Sequence, residues 1–402
     1  MVSVIKILVV LILIVILLNR KVKLGNSMLA GSALLFFWTG PSMGKVSEAV
    51  STTLVSPSTW EIIFALYFVM CLEYQLRTKG IIDGFMASAR SIFNSDRLLL
   101  VVMPSFLGFL PSLGGAIFSA PLVENAGKDY ELTAEKKTVI NYWFRHVWEF
   151  TNPLFTGMLL ASQLSGIPLS RLVVSMSWVT ILAFIIGWIF LISPLKLKSR
   201  NEAAQPEQQA ENEKWRYILL AAGPVLANLA LVVLFQISAA ISMTIVVVAM
   251  TIILRQGASD IRAMLNHALD QKLLWGVFNI LFFQNILRLS GAVTDITVLL
   301  NSFAIPAALV VGIIAFLGGL LTGTSQGFVA IAFPFIALLS PGDIFLVTVC
   351  FIAGTAGHML SPAHLCLVVT LDYFKANFAK SIRPVFILEI MMLAASYGIL
   401  SM

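Results

Sequence analysis

PSFLGFLPSLGGAIFSAPLVE (104–124) and IAFLGGLLTGTSQGFVAIAFP (314–334) decide how this chain is read. Both belong to long apolar stretches, 97–123 and 304–340, that Pro, Gly, Ser and Thr interrupt near the centre. A helix that crosses a bilayer needs about 20 mostly apolar residues. Each interrupted stretch is therefore either a pair of short spans or a hairpin that enters and leaves on one side.

The rest of the chain sets the context. Of 402 residues, 59% are hydrophobic and only 11% charged, against about 25% charged in a soluble domain. Ten further apolar windows read as spans: 4–18, 24–40, 59–76, 138–165, 171–193, 216–236, 239–254, 272–290, 343–371 and 384–401. The fold class expected is an all-α polytopic membrane protein. The net charge of +6 reflects basic residues at span ends, which orient membrane proteins, and no nucleic-acid partner is expected. The segment Val4–Leu18 is followed, not preceded, by Arg20, Lys21 and Lys23, so it reads as a retained first span with its amino terminus outside. Cys71, Cys350 and Cys366 fall in apolar stretches without metal spacing and read as packing residues.

The basic residues arbitrate between the readings of the interrupted stretches. If both are re-entrant hairpins, 21 of the 26 Lys and Arg collect on the inside. Lys6, Lys45, Arg171 and Arg288 then lie outside, and Arg145 lies within a span. That asymmetry is what positive-inside orientation predicts; a single crossing at either stretch would put later basic clusters outside. The expected localisation is the plasma (inner) membrane, with both termini outside.

With this topology the chain divides into repeats 1–193 and 216–402, joined by a polar cytoplasmic linker, 194–215. Each half runs through three spans, an amphipathic segment (80–96 or 258–271), a hairpin, a span broken by Pro and a closing span. The first hairpin enters from inside and the second from outside, so the expected architecture is about ten spans and two hairpins in two inverted repeats. The broken spans, 138–165 and 343–371, also match faintly: WEFTNPLFTGMLLA (148–161) resembles GHMLSPAHLCLVVT (357–370). Broken segments at corresponding places in inverted halves point to a transport site at the midplane.

The candidate residues follow from backbone chemistry at these breaks. A hairpin tip frees N–H groups that attract anions and carbonyls that coordinate cations. The tips carry Ser112 and Gly114 in one case and Thr324, Ser325 and Gln326 in the other, and these are expected to bind substrate with Asn152, His358 and His364. Pro153 and Pro362 free carbonyls in the broken spans, where Thr151, Asn152 and Ser361 offer oxygens for a sodium ion. Ionisable residues inside spans are functional candidates. Arg145 and Glu149, spaced i,i+4, can pair on one helix face and serve gating or coupling. His146 reads as a packed residue near the interface, and Glu389 as a weaker proton-site candidate. No zinc-protease HExxH, GxSxG or phosphate-binding loop is present, so no enzyme and no cofactor beyond the sodium ion are expected.

The segments LPSLGGAIFSAPLVENAG (110–127), INYWFRHVWEFTNPLF (140–155) and AGHMLSPAHLCLVVT (356–370) resemble an uncharacterised ten-span family of the ion transporter superfamily. Its relatives are gluconate permeases, citrate and dicarboxylate carriers and some sodium/proton antiporters. The resemblance implies a scaffold that often forms a homodimer, and a transport domain that carries both hairpins in an elevator-like motion. The Ser-Asn-Thr triplet that dicarboxylate carriers place at each tip is absent here. The expected function is secondary transport of a small organic anion with sodium or protons. A sodium/proton antiporter and a non-transporting membrane scaffold or accessory protein are the alternatives.

Overall fold

Apolar helices that run the length of the chain give the molecule its architecture. The computed structural model describes residues 2–20, 22–39, 42–92, 95–109, 115–196, 211–290 and 306–400. Among them no strand forms, and the chain is an all-helical polytopic membrane protein. Among the described residues four helices are long and apolar enough to cross a membrane: Pro57–Thr78, Leu169–Ile192, Glu213–Val233 and Phe378–Leu400. Others fall on expected spans but are shorter, such as Leu24–Trp38 and Ala239–Ile253, with 15 residues each. One further helix, Met43–Val55, lies where no span is expected. The amphipathic segments form the helices Ile81–Ile92 and Ala258–Ala268. Lys79 donates to Asp260 at 2.8 Å, and this bond holds the Asp260 carboxyl below the usual carboxylate range.

Both interrupted stretches contain paired helices. Asp96–Phe109 packs against Gly115–Ala126; the residues that join them, 110–114, lie outside the described residues, so the expected ligands Ser112 and Gly114 do too. Ala307–Thr322 packs against Ser325–Leu339, and Gly323 and Thr324 make the turn between them. Gly323 sits at φ +65°, a conformation only glycine enters at little cost. Thr324 caps the returning helix by accepting the Gly327 N–H at 3.1 Å.

Two helical stretches are interrupted near their centres. The first runs through Ala134–His146, a tighter 3-10 turn Val147–Phe150, an irregular 151–155 and the helix Thr156–Ser165. The second runs through Ile344–Met359, an irregular 360–364 and the helix Leu365–Phe374. The same local device closes both gaps. The residue before each proline folds its side chain back onto the N–H two residues on: Asn152 Oδ1 accepts from Leu154 N at 2.9 Å, and Ser361 Oγ from Ala363 N at 3.2 Å. Such Asx- and Ser-turns satisfy backbone that the helix has released.

Glycines bring the hairpins against the broken spans. A Cβ on Gly108 would overlap the Arg145 carbonyl oxygen, and one on Gly357 would overlap the Phe316 carbonyl oxygen. Small residues at membrane helix contacts allow this approach of one backbone to another.

Candidate functional site

Each hairpin rests on a chain break. Asn152 Nδ2 donates to the Phe109 carbonyl at 2.8 Å, and Arg145 Nη1 donates to the Leu107 carbonyl at 3.0 Å. The first break thus holds the end of the first hairpin helix. At the second, a Cβ on Gly323 would lie 2.8 Å from the Ala363 carbonyl carbon and from the His364 nitrogen. Ser325 closes against the first broken span, its Cβ 2.8 Å from the position a Gly157 Cβ would take. We expect Asn152→Ala to lower stability by about 1–3 kcal/mol, because it leaves the buried Phe109 carbonyl without its donor. Thermal unfolding of the purified variant checks this.

Between the breaks runs a buried chain of imidazoles. His146 Nδ1 lies 2.6 Å from the Tyr142 carbonyl oxygen, and its Nε2 lies 3.0 Å from His364 Nε2. His364 Nδ1 lies 3.0 Å from His358 Nδ1, and His358 Nε2 lies 2.5 Å from Glu149 Oε2. His146 and Glu149 come from the first broken span, His358 and His364 from the second. Tyr142 adds a further link by donating to the Met359 carbonyl at 3.0 Å. The Tyr142 ring meets His146 and His364 in T-shaped contacts, and Phe328 lies nearly parallel to His358.

Hydrogen-bond direction sets the tautomers along this chain. A carbonyl oxygen only accepts, so His146 Nδ1 carries hydrogen, and a neutral His146 then offers a lone pair at Nε2. His364 then donates from Nε2 and His358 from Nδ1, and the contact between His358 Nε2 and Glu149 needs one further proton, carried by the ring or by the carboxyl. The chain therefore holds one proton more than three neutral imidazoles and a carboxylate.

The other expected residues are placed as follows. Thr151 Oγ1 is 3.0 Å from Thr180 Oγ1, and Asn152 and Ser361 are engaged in their turns, so each of the three expected sodium ligands has a protein partner. Arg145 and Glu149 do not stack as an i,i+4 pair, because the α-helix ends at His146 and the 3-10 turn that follows has about 3.0 residues per turn. Arg145 turns to the first hairpin and Glu149 to His358. Glu389 is buried on the helix Phe378–Leu400 and lines a small gap with His146 and Thr355. His146, expected as a packed interface residue, is a member of the chain. Sequence reasoning assigned Cys366 to packing, yet its sulfur lies with one nitrogen each of His146 and His364, all within 4.8 Å of one another. The one local signal was the His364–Cys366 spacing just after the break.

A larger cavity lies at the second hairpin tip. It has a volume of about 390 Å³, and Thr322, Thr324, Gln326 and Gly327 line it opposite Lys23 and Lys272. Thr156 and Asp270 also face it. The start of the helix Ser325–Leu339 opens on it, where first-turn amides lack intrahelical partners.

A sequence profile described as "Protein of unknown function (DUF401)" matches residues 1–401. The chain belongs to the DUF401 family. No curated protein matches the sequence. In structure it is similar to the YdaH transporter of Alcanivorax borkumensis, with a TM-score of 0.58 at 14% identity over 88% of this chain and 86% of that one. A likeness at that identity concerns the fold, and function has to be argued from the site.

Proposed function

We propose that this DUF401 protein is a secondary active transporter of a small organic anion, coupled to sodium or protons. The observation that carries this reading is the cavity at the second hairpin tip. Two lysines, three threonines, an amide side chain and a helix start line it beside a single carboxylate, Asp270, and the two cations and the helix start suit a bound carboxylate. Lys23 and Lys272 belong to the basic set expected on the cytoplasmic side, so the cavity is read as the inward-facing end of the pathway. The paired hairpins and opposed breaks support an inverted-repeat transporter, and the resemblance to citrate and dicarboxylate carriers extends this to an elevator-like motion. The anion is the part of the proposal that a sodium/proton antiporter lacks.

The test is thermal stability of the purified protein across small carboxylates, in sodium or potassium and at two pH values, followed by uptake into proteoliposomes. A ligand that binds the folded state at 100 times its dissociation constant adds about 2.7 kcal/mol. One carboxylate should shift the melting temperature and be taken up. Lys272→Ala or Thr324→Ala should each weaken it roughly tenfold or more, the loss of one charged or hydroxyl hydrogen bond. A shift with sodium or pH alone would replace this reading with the antiporter. Uptake of nothing, with no shift, would leave a scaffold protein.

A further inference from the structure

We propose that His146, His364 and Cys366 form a binding site for a zinc-class divalent ion that clasps the two chain breaks together. His146 comes from the end of one helix, and His364 and Cys366 from the start of another in the opposite half. Both histidines are buried, and the donor atoms of all three side chains lie within 4.8 Å of one another. Zn–N bonds of about 2.0–2.1 Å and Zn–S bonds of about 2.3 Å put the donors of one tetrahedral ion roughly 3.3–3.6 Å apart. The two Nε2 atoms, 3.0 Å apart, are close to that spacing already. Two imidazoles and a thiolate select borderline-to-soft metals over sodium or magnesium, so this site is separate from the coupling cation and independent of the transport reading.

The outer nitrogens are arranged as metal-binding histidines require, each tied to a second partner that orients the ring. His146 Nδ1 is held by the Tyr142 carbonyl, and His364 Nδ1 by His358, which is held in turn by Glu149. A bound ion reverses the direction of this chain. Both Nε2 lone pairs then face the metal, His364 Nδ1–H donates to His358 Nδ1, and His358 Nε2–H donates to an ionised Glu149. Every ring nitrogen keeps a partner. The Cys366 thiolate and the Glu149 carboxylate together balance the two positive charges of the ion, which a buried site needs. Relative to the metal-free chain, the thiol proton and the one extra proton of the imidazole–carboxyl chain leave, so one divalent ion enters as two protons depart. Glu149 Oε1, 4.0 Å from His146 Nε2, is the group placed to close the fourth coordination position.

The test uses the full chain in detergent, stripped with chelator and titrated with cobalt(II), then zinc. One cobalt per chain is expected, with a thiolate-to-cobalt charge-transfer band, the intense visible bands of a tetrahedral site, displacement by zinc and release of about two protons per ion. Cys366→Ser should remove the charge-transfer band, and His364→Gln should weaken zinc roughly 100-fold or more. Cys71→Ser, a buried cysteine elsewhere, should leave both unchanged. No stoichiometric cobalt in the wild-type chain, weak six-coordinate bands, or an unaltered spectrum in Cys366→Ser would each overturn the proposal. The wild-type titration decides it even where a variant fails to fold, and a metal-free outcome would return the His146–His364 contact to a shared proton.

Discussion

Gly108→Val is expected to abolish a stable fold. The first hairpin reaches its place only because Gly108 lets its helix touch the Arg145 carbonyl, and a Cβ there would overlap that oxygen. Overpacking against flexible side chains costs typically 1–3 kcal/mol. Here the obstacle is backbone in the last turn of the helix Ala134–His146, which cannot rotate away without moving Arg145 and His146. We expect a loss of more than about 3 kcal/mol, seen as aggregation on size exclusion or a collapsed melting temperature. Gly223 is the control, because nothing lies within 4 Å of its Cβ position. Gly223→Ala should be neutral or should stabilise by about 0.4–1 kcal/mol. A monodisperse Gly108→Val protein with wild-type melting would refute the close approach.

His358→Ala is expected to have the second large effect. His358 and Glu149 are 1% and 2% exposed, and they bond each other across the two halves. Removing one member of a buried hydrogen-bonded pair leaves the other without that partner, which costs about 1–3 kcal/mol and more where the group is charged. Replacing both by leucine removes the polar demand of this pair and leaves only His364 Nδ1 without the partner that His358 supplied. Glu149→Leu with His358→Leu should therefore regain much of the stability, and the double-mutant cycle should show a coupling of about 0.5–3 kcal/mol. Additive losses would mean that the two side chains act separately, against the geometry. His358→Gln, which retains a side-chain donor, should lose less than His358→Ala.

The elements of the fold are largely legible in the sequence because membrane helices announce themselves. Apolar length marks each span, and Pro153 and Pro362 mark the breaks by removing backbone donors. Even the break chemistry was present locally, since Asn152 and Ser361 cap their own turns. Element length was less legible. Leu24–Trp38 and Ala239–Ile253 have 15 residues each, short of the about 20 that a crossing helix needs.

The candidate site was legible by residue type but not by partnership. Glu149 is i+4 to Arg145 in sequence, and a regular helix would have paired them. The 3-10 turn Val147–Phe150 rotates Glu149 away, toward a histidine 209 residues later. Cys366 looked like any apolar-stretch cysteine until His146 arrived from the other half. Lys23 and Lys272 entered the sequence reading as orientation signals alone, and only the cavity sets them opposite the second hairpin tip.

The sequence by itself thus determined that the chain is helical and membrane-embedded and that Pro153 and Pro362 mark two breaks in it, since those properties follow from local apolarity and proline. Tertiary structure alone decided which buried polar groups meet. Every link of the Glu149–His358–His364–His146 chain that crosses between the halves joins side chains more than 200 residues apart. No periodicity carries that information, because it arises only when glycine-lined hairpins let two broken helices press their gaps together.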